Sequence, residues 1–347
     1  MIQGNTNTNV PIIVVEKGPR QIPPIYKLNS SGDGSTFKDF IAIPQDDILI
    51  MGARRTPTIP CPRANTNTTI SLLTSVGFRV LSSADYAEAT KILQPDVVVG
   101  LGDIVYPIQE VRSFKRIDRM GERTLKWMQE LLASQKTLES GSSHVFAPIL
   151  PVDLELQREW LDGLVEPEIL ENISGLSIYS VDTVINLPSE TSHLPRLAFT
   201  EPETPSKLLQ EISVGIDIFT APFVTAASDA GIALDFSFPP PSPDSNSLKP
   251  LGLDMWNPDH AADVKPLVES CACYACQSHH RAYVHHLLSA KEMLAWVLLQ
   301  LHNHHVLDSF FSGVRKSIED GTFEQSATDF DRVYEAKLPD QTGQGPR

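Results

Sequence analysis

The sequence predicts an α/β protein with a parallel sheet, followed by a helical segment that holds a metal ion. Three observations predict it. Short apolar runs of strand length alternate with longer amphipathic runs between residues 69 and 236, the order that successive parallel βα units produce. A cysteine-dense turn, Cys271-x-Cys273-x2-Cys276, precedes a stretch rich in histidine and helix formers. The composition, 41% hydrophobic and 20% charged over 347 residues, is that of a globular chain able to bury a full core in one large or two ordinary domains. A barrel and a doubly wound sheet both satisfy the alternation, and periodicity alone does not choose between them.

Taken in order, residues 1–40 are rich in Gly, Ser and Asn and read as a poorly ordered segment, apart from the apolar run Pro11–Val15. Ala42–Met51 mixes apolar runs with Pro44 and two aspartates, and Thr56–Pro62 is irregular. Thr69–Leu81 reads as a strand punctuated by Gly77, Ala84–Leu93 as a helix, and Pro95–Leu101 as a buried strand around Val97-Val98-Val99. Arg112–Leu132 reads as a helix with a basic face of Arg112, Lys115, Arg116, Arg119, Arg123 and Lys126. The alternation continues with strands at Val145–Pro151, Ser174–Tyr179, Arg196–Thr200 and Ile216–Phe219, and helices at Gln157–Leu164 and Pro205–Val214. About five βα units fit between residues 69 and 236. Phe238–Pro250, with Pro239, Pro240, Pro241 and Pro243 among Ser and Asp, reads as a surface insertion. Ser289–Ser312 has apolar residues at helical spacing and reads as one long helix.

The formal charge is −15 and the isoelectric point about 5.1, which excludes a chain that grips nucleic acid through a broad basic surface. Contact with RNA then needs a local patch or a partner. No apolar run reaches the ~18 residues of a membrane span. The polar N-terminus lacks the build of a signal peptide. A cytoplasmic protein is expected, with the mitochondrial outer surface as the alternative place.

Only four cysteines occur, and three lie in the turn 271–276. Such crowding suits a metal better than disulfides. A Cys-x-Cys-x2-Cys turn places three thiolates around one zinc ion at about 2.3 Å and leaves a fourth position for a nitrogen. His279, His280, His285, His286, His302, His304 and His305 all follow the cysteines, and spacing alone does not select one. A catalytic zinc is not expected, because no water-activating glutamate stands at helical spacing from a histidine pair. Cys61, between prolines, reads as an inert thiol.

The stretch from Cys271 to His305 resembles the zinc module of the tRNA-guanine/queuine transglycosylase family, whose pattern is Cys-x-Cys-x2-Cys, 25 residues, then His. Counted from Cys276, that pattern falls on His302. Arg281–Leu288 and Glu292–Ala295 are similar to family segments as well. Upstream, Gly100–Pro107 followed by Glu122–Gln129 resembles the segment in which an Asp contacts the exchanged base, here Asp103. Ser174–Ser180 is similar to the loop under the base, through Gly175 and Leu176. Thr204–Phe219 resembles the approach to the nucleophile. The resemblance spans roughly residues 70–330. It implies a TIM-barrel-like α/β domain over 41–250, a helical zinc-binding subdomain closing the barrel over 251–335, a disordered tail at 338–347, and one structural Zn2+ held by Cys271, Cys273, Cys276 and His302. Asp103 stands earlier in the chain than its family counterpart, so the first barrel strands are expected to be absent or remodelled.

The departures from the family bear on activity. Its enzymes detach guanine at the tRNA wobble position through a covalent Asp intermediate. A carboxylate is the natural nucleophile at a sugar carbon with oxocarbenium character. Where the family reads Phe-Asp-Cys, this chain reads Phe219-Thr220-Ala221. Where it reads Pro-Thr-Arg-x-x-Arg, this chain reads Val224 to Asp229, so that Ala226 and Asp229 replace two arginines. The Asp-Ser-Gly-Gly-Phe-Gln segment of the general base is missing. The residues from 65 to 82 and from 146 to 152 are also like the non-catalytic branch of the family. The resemblance therefore implies no catalytic residue here. It implies a heterodimer with a catalytic queuine tRNA-ribosyltransferase subunit, tRNA engaged through that complex, and exchange of wobble guanine for queuine in tRNAs with GUN anticodons. The alternatives are an active transglycosylase with an unusual nucleophile such as Asp217, and a zinc-stabilised interaction scaffold without a tRNA role.

Overall fold

The computed structural model describes residues 37–54, 58–74, 77–107, 113–136, 143–242, 247–340 and 342–343. Most of the expected loose segment 1–40, including Pro11–Val15, lies outside the described residues. So do Arg112, residues 243–246 of the Pro-rich insertion, and residues 341 and 344–347 of the expected tail. The chain divides into two compact units, Met1–Thr200 with Val214–Thr220, and Glu201–Ser213 with Ala221–Arg347.

The first unit is a parallel sheet with helices. After a short helix α1 (Phe37–Phe40), β1 (Ile50–Met51) opens the sheet. The Asp96 carboxylate fixes its entry by accepting the Leu49 N–H at 2.6 Å and pairing with Lys38 at 2.8 Å. β2 (Thr69–Thr74) and β3 (Gly77–Ser82) form an antiparallel hairpin of their own. Ser82 then caps α2 (Ser83–Leu93), its hydroxyl accepting the Asp85 N–H. The sheet resumes with β4 (Val97–Val99). α3 (Phe114–Gln135) leads to β5 (His144–Ile149), and α4 (Arg158–Leu164) and α5 (Pro167–Leu170) lead to β6 (Gly175–Ile178). β7 (Arg196–Ala198) and β8 (Ile218–Phe219) complete it.

The strand order is β1-β4-β5-β6-β7-β8, with every neighbouring pair parallel. A doubly wound sheet reverses its order at a switch point. This one advances in chain order without reversal, as the strands of a barrel do, and its six strands make a curled half-barrel. β-Branched and apolar residues alternate between its faces. Val98, Val145, Ala147, Leu176 and Ala198 join a core with Trp127, Leu131, Trp160 and Leu164. Val97, Val99, Phe146 and Leu197 form a smaller cluster on the other face. Buried polar atoms are spent on the strand ends. The Tyr86 hydroxyl donates to Val99 O at 2.6 Å and Met51 O at 3.2 Å, and Trp160 Nε1 donates to Pro148 O.

Two expectations need correction here. Thr69–Leu81 is not a strand of the parallel sheet. It turns back on itself, Thr74 pairing with Gly77 and Thr69 with Ser82, and the sheet takes Ile50–Met51 instead. Arg123 also leaves the expected solvated basic face, partly buried in an ion pair with the buried Asp103 carboxylate, while Lys115, Arg116 and Arg119 stay exposed.

The second unit is mainly helical: α6 (Pro205–Ser213), α7 (Pro222–Ala230), α8 (Tyr274–Ser278), α9 (Arg281–Ser289), α10 (Met293–Glu319) and α11 (Phe323–Val333). A small antiparallel pair, β9 (Ile232–Leu234) with β10 (Gly252–Asp254), lies among them. The expected long helix starts four residues later than periodicity suggests and runs on to Glu319, because α9 ends at Ser289 and the chain turns through Ala290–Glu292. The Pro-rich stretch is held at both ends. Phe238 is buried among Phe310, Phe323 and Phe330, and Lys249 exchanges backbone hydrogen bonds with Val333 O and the Glu335 N–H. Gly313 permits the first anchor, since a Cβ there would collide with the Phe238 carbonyl. Among the described residues, no helix is long and apolar enough to cross a membrane.

Candidate functional site

The metal-ligand candidates converge in the second unit. The Cys273 Sγ accepts the Cys276 N–H at 3.3 Å and caps α8, so the two thiols share one tight turn. Cys271 precedes that turn, its N–H donating to Val268 O. His302 lies on the buried face of α10 with Leu298, Leu299 and Asn303, all at 0% exposure. The three Sγ atoms of Cys271, Cys273 and Cys276 stand 3.6, 3.4 and 3.4 Å from His302 Nδ1. All four ligand atoms lie within 4.8 Å of one another.

These distances test whether the residues suit a metal. With Zn–S near 2.3 Å and Zn–N near 2.05 Å, a tetrahedral ion separates S from N by about 3.6 Å and S from S by about 3.8 Å. The spacing around His302 meets the first figure. The other imidazole nitrogen is also set for ligation: Nε2–H donates to Leu234 O at 2.9 Å, which leaves the Nδ1 lone pair facing the thiols. The buried donor set could therefore hold one metal ion, and its chemistry is that of a zinc site. Each donor shifts the next. Hydrogen bonds from the Cys271 and Cys276 thiols pull Cys273 far below the ordinary thiol range. Burial opposes the charged form of His302, but hydrogen bonds with Cys271 and Cys273 hold its pKa up at about 9.

Spacing does not reveal the support behind this cluster. Asn303 follows His302 and grips the same strand. Its Oδ1 accepts the Leu234 N–H, while Nδ2 donates to Ile232 O and Ser228 Oγ. The available signal was its place seven residues after Trp296 and four after Leu299, which puts a polar side chain on a buried helical face. Asn303→Ala should strand the Leu234 N–H and the Ile232 carbonyl. The expected cost is about 2–4 kcal/mol in denaturant unfolding, with metal affinity down roughly 10–100-fold as His302 loses its rigid backing. Unchanged metal affinity in a competition titration would contradict this.

The positions matched to base recognition lie in the first unit. Asp103 follows the C-terminal end of β4 and is 1% exposed. Gly175 and Leu176 lie inside β6, level with Phe146 and Ala147. A Cβ on Gly175 would strike the Phe146 ring, and the Leu176 side chain belongs to the core. Thr220 comes directly after β8, buried, its hydroxyl donating to Ala198 O at 3.3 Å. Asp217 is tied to the sheet, its carboxylate accepting the Arg196 N–H at 2.8 Å. In the second unit, Ala226 and Asp229 are exposed on α7, and partial burial raises the Asp229 pKa. Burial likewise raises the Cys61 thiol, in keeping with an unreactive side chain.

The family model described as queuine tRNA-ribosyltransferase matches residues 24–336. The chain is 37% identical over 314 residues to the queuine tRNA-ribosyltransferase accessory subunit 2 of Schizosaccharomyces pombe, covering 90% of this chain and 70% of that protein. It is 30% identical over 314 residues to the protein of the same name from Drosophila melanogaster, covering 85% and 72%. With the human protein of that name it shares 26% over 318 residues, covering 81% and 76%.

Proposed function

Because the chain belongs to the queuine tRNA-ribosyltransferase family, we propose that it is the non-catalytic member of a heterodimer whose other member is a catalytic subunit. The pair exchanges the wobble guanine of tRNAs with GUN anticodons for queuine. The observation that carries this reading is Thr220. At the nucleophile position stands a buried hydroxyl donating to a backbone carbonyl, with no carboxylate able to form a glycosyl intermediate. The exposed Ala226 and Asp229 support it further, since neither offers a cation to phosphate. The relatives named as accessory subunits point the same way.

In this reading Cys271, Cys273, Cys276 and His302 hold one structural zinc. Four protein donors fill the tetrahedron and leave no position for a reacting water. The ion's contribution is folding free energy in the C-terminal unit. The competing reading, an active enzyme using Asp217, has against it the hydrogen bond that engages that carboxylate with the Arg196 N–H.

The test is guanine exchange on a tRNA with a GUN anticodon. This chain alone should give no turnover, and the catalytic subunit from the same organism should gain activity when the chain is added. Turnover by the isolated chain would sink the reading. Failure to bind tRNA or the catalytic subunit under any condition would favour a scaffold without a tRNA role.

A further inference from the structure

The Asp103 carboxylate has both oxygens engaged by N–H donors of its own chain. Asn65 Nδ2 donates to Oδ1 at 2.6 Å, and Arg123 Nη1 donates to Oδ2 at 2.9 Å. The amide orientation is fixed independently, because Asn65 Oδ1 accepts the Ser71 N–H at 2.9 Å, which turns Nδ2 toward Asp103. Arg123 is held in turn by Asn67 Oδ1 and Asn65 O. Trp127 Nε1 donates to Asn67 O, and the Asp103 N–H donates to Thr124 Oγ1. Asn65 and Asn67 form the root of the β2–β3 hairpin, and Arg123, Thr124 and Trp127 lie on α3. Strand end, helix and hairpin root therefore meet at one buried carboxylate.

Two N–H donors aimed at the two oxygens of one carboxylate is the pattern that a guanine-type heterocycle offers through its ring and exocyclic nitrogens. We propose that Asn65 and Arg123 are a built-in stand-in for that base. The carboxylate is closed to free nucleobase, and what it seats instead is the β2–β3 hairpin. Opening the site and releasing the hairpin are then a single event. The inference rests on the reading of the chain as a non-catalytic family member and adds that the base is left to the other subunit.

The test uses the full chain. 7-Deazaguanine titrated calorimetrically into the wild type should give no binding heat. In Asp103→Asn, an amide N–H faces one of the two donors, and the hairpin root loses its seat. Amide hydrogen exchange across residues 65–82 should then rise at least about tenfold, while β5 and β6 exchange at their wild-type rate. Asn65→Ala removes one donor without leaving a buried charge unpaired, and it should show the same local acceleration if Asp103→Asn folds poorly. Binding of 7-deazaguanine to the wild type that is lost in Asp103→Asn would overturn the proposal. So would unchanged hairpin exchange in both variants. The two readings fail separately, since turnover by the isolated chain does not by itself alter hairpin exchange.

Discussion

Cys273→Ser should leave the protein with essentially no bound metal and melt its C-terminal helices well below the wild-type transition. Serine keeps an oxygen that can accept the Cys276 N–H, so the cap on α8 survives. What is lost is a thiolate, and with it one of four ligands. Structural zinc sites of this type contribute about 10–16 kcal/mol of apparent binding free energy at neutral pH. A unit that depends on such a term does not hold its fold when a ligand is removed. Cys273 and Cys276 pack in one cluster with Leu267, Ala275, Val284, Leu288, Leu298 and Leu299, so the loss should spread into the packing of α9 and α10. Acid should reproduce part of the effect, because protons compete with the metal for three thiols and one imidazole. Metal analysis and thermal unfolding monitored by circular dichroism read both effects. Retained stoichiometry with an unchanged transition would refute the assignment.

The three cysteines were legible because their geometry is local. A turn of six residues fixes its own Sγ positions, whatever the rest of the chain does. The histidine that joins them was not legible from spacing, since seven histidines follow the turn. The structure separates them by which nitrogen faces inward. His302 has one nitrogen on Leu234 O and the other on the thiols. His279 instead stacks on Tyr283, and His280 caps α9. The parallel sheet was legible from strand-length runs such as Val97-Val98-Val99. The hairpin was not, because Thr69–Leu81 carries the same apolar signal as a sheet strand and its reversal shows only in the pairing of Thr74 with Gly77. The fate of Asp103 was the least legible feature. Its partners lie 38 and 20 residues away in sequence, and an arginine on a basic helical face gives no sign that it will turn inward.

Phe310→Ala should cost about 3–5 kcal/mol of stability and leave the metal in place. Phe310 is fully buried on α10. It meets Phe236, Phe238 and Phe330 in edge-on contacts with ring centroids 5.5, 5.6 and 6.0 Å apart. Such pairs add about 0.5–1.5 kcal/mol each beyond their buried area. Truncation removes all of them and opens a cavity that the surrounding rings cannot fill without leaving their rotamers. The metal should stay because the damage is remote. Eight residues of helix separate Phe310 from His302, about 12 Å at 1.5 Å per residue, and effects at that distance are close to additive. The same substitution removes the anchor of Phe238, where the Pro-rich stretch begins. Proteolysis between residues 238 and 250 should therefore quicken more than cleavage elsewhere in the unit. A destabilised variant that retains its metal and is nicked first at this stretch would place the aromatic cluster and the metal centre as two separate supports of one helix. Loss of metal in Phe310→Ala would show instead that α10 responds as a single element, and that the centre reports on packing well beyond its own ligands.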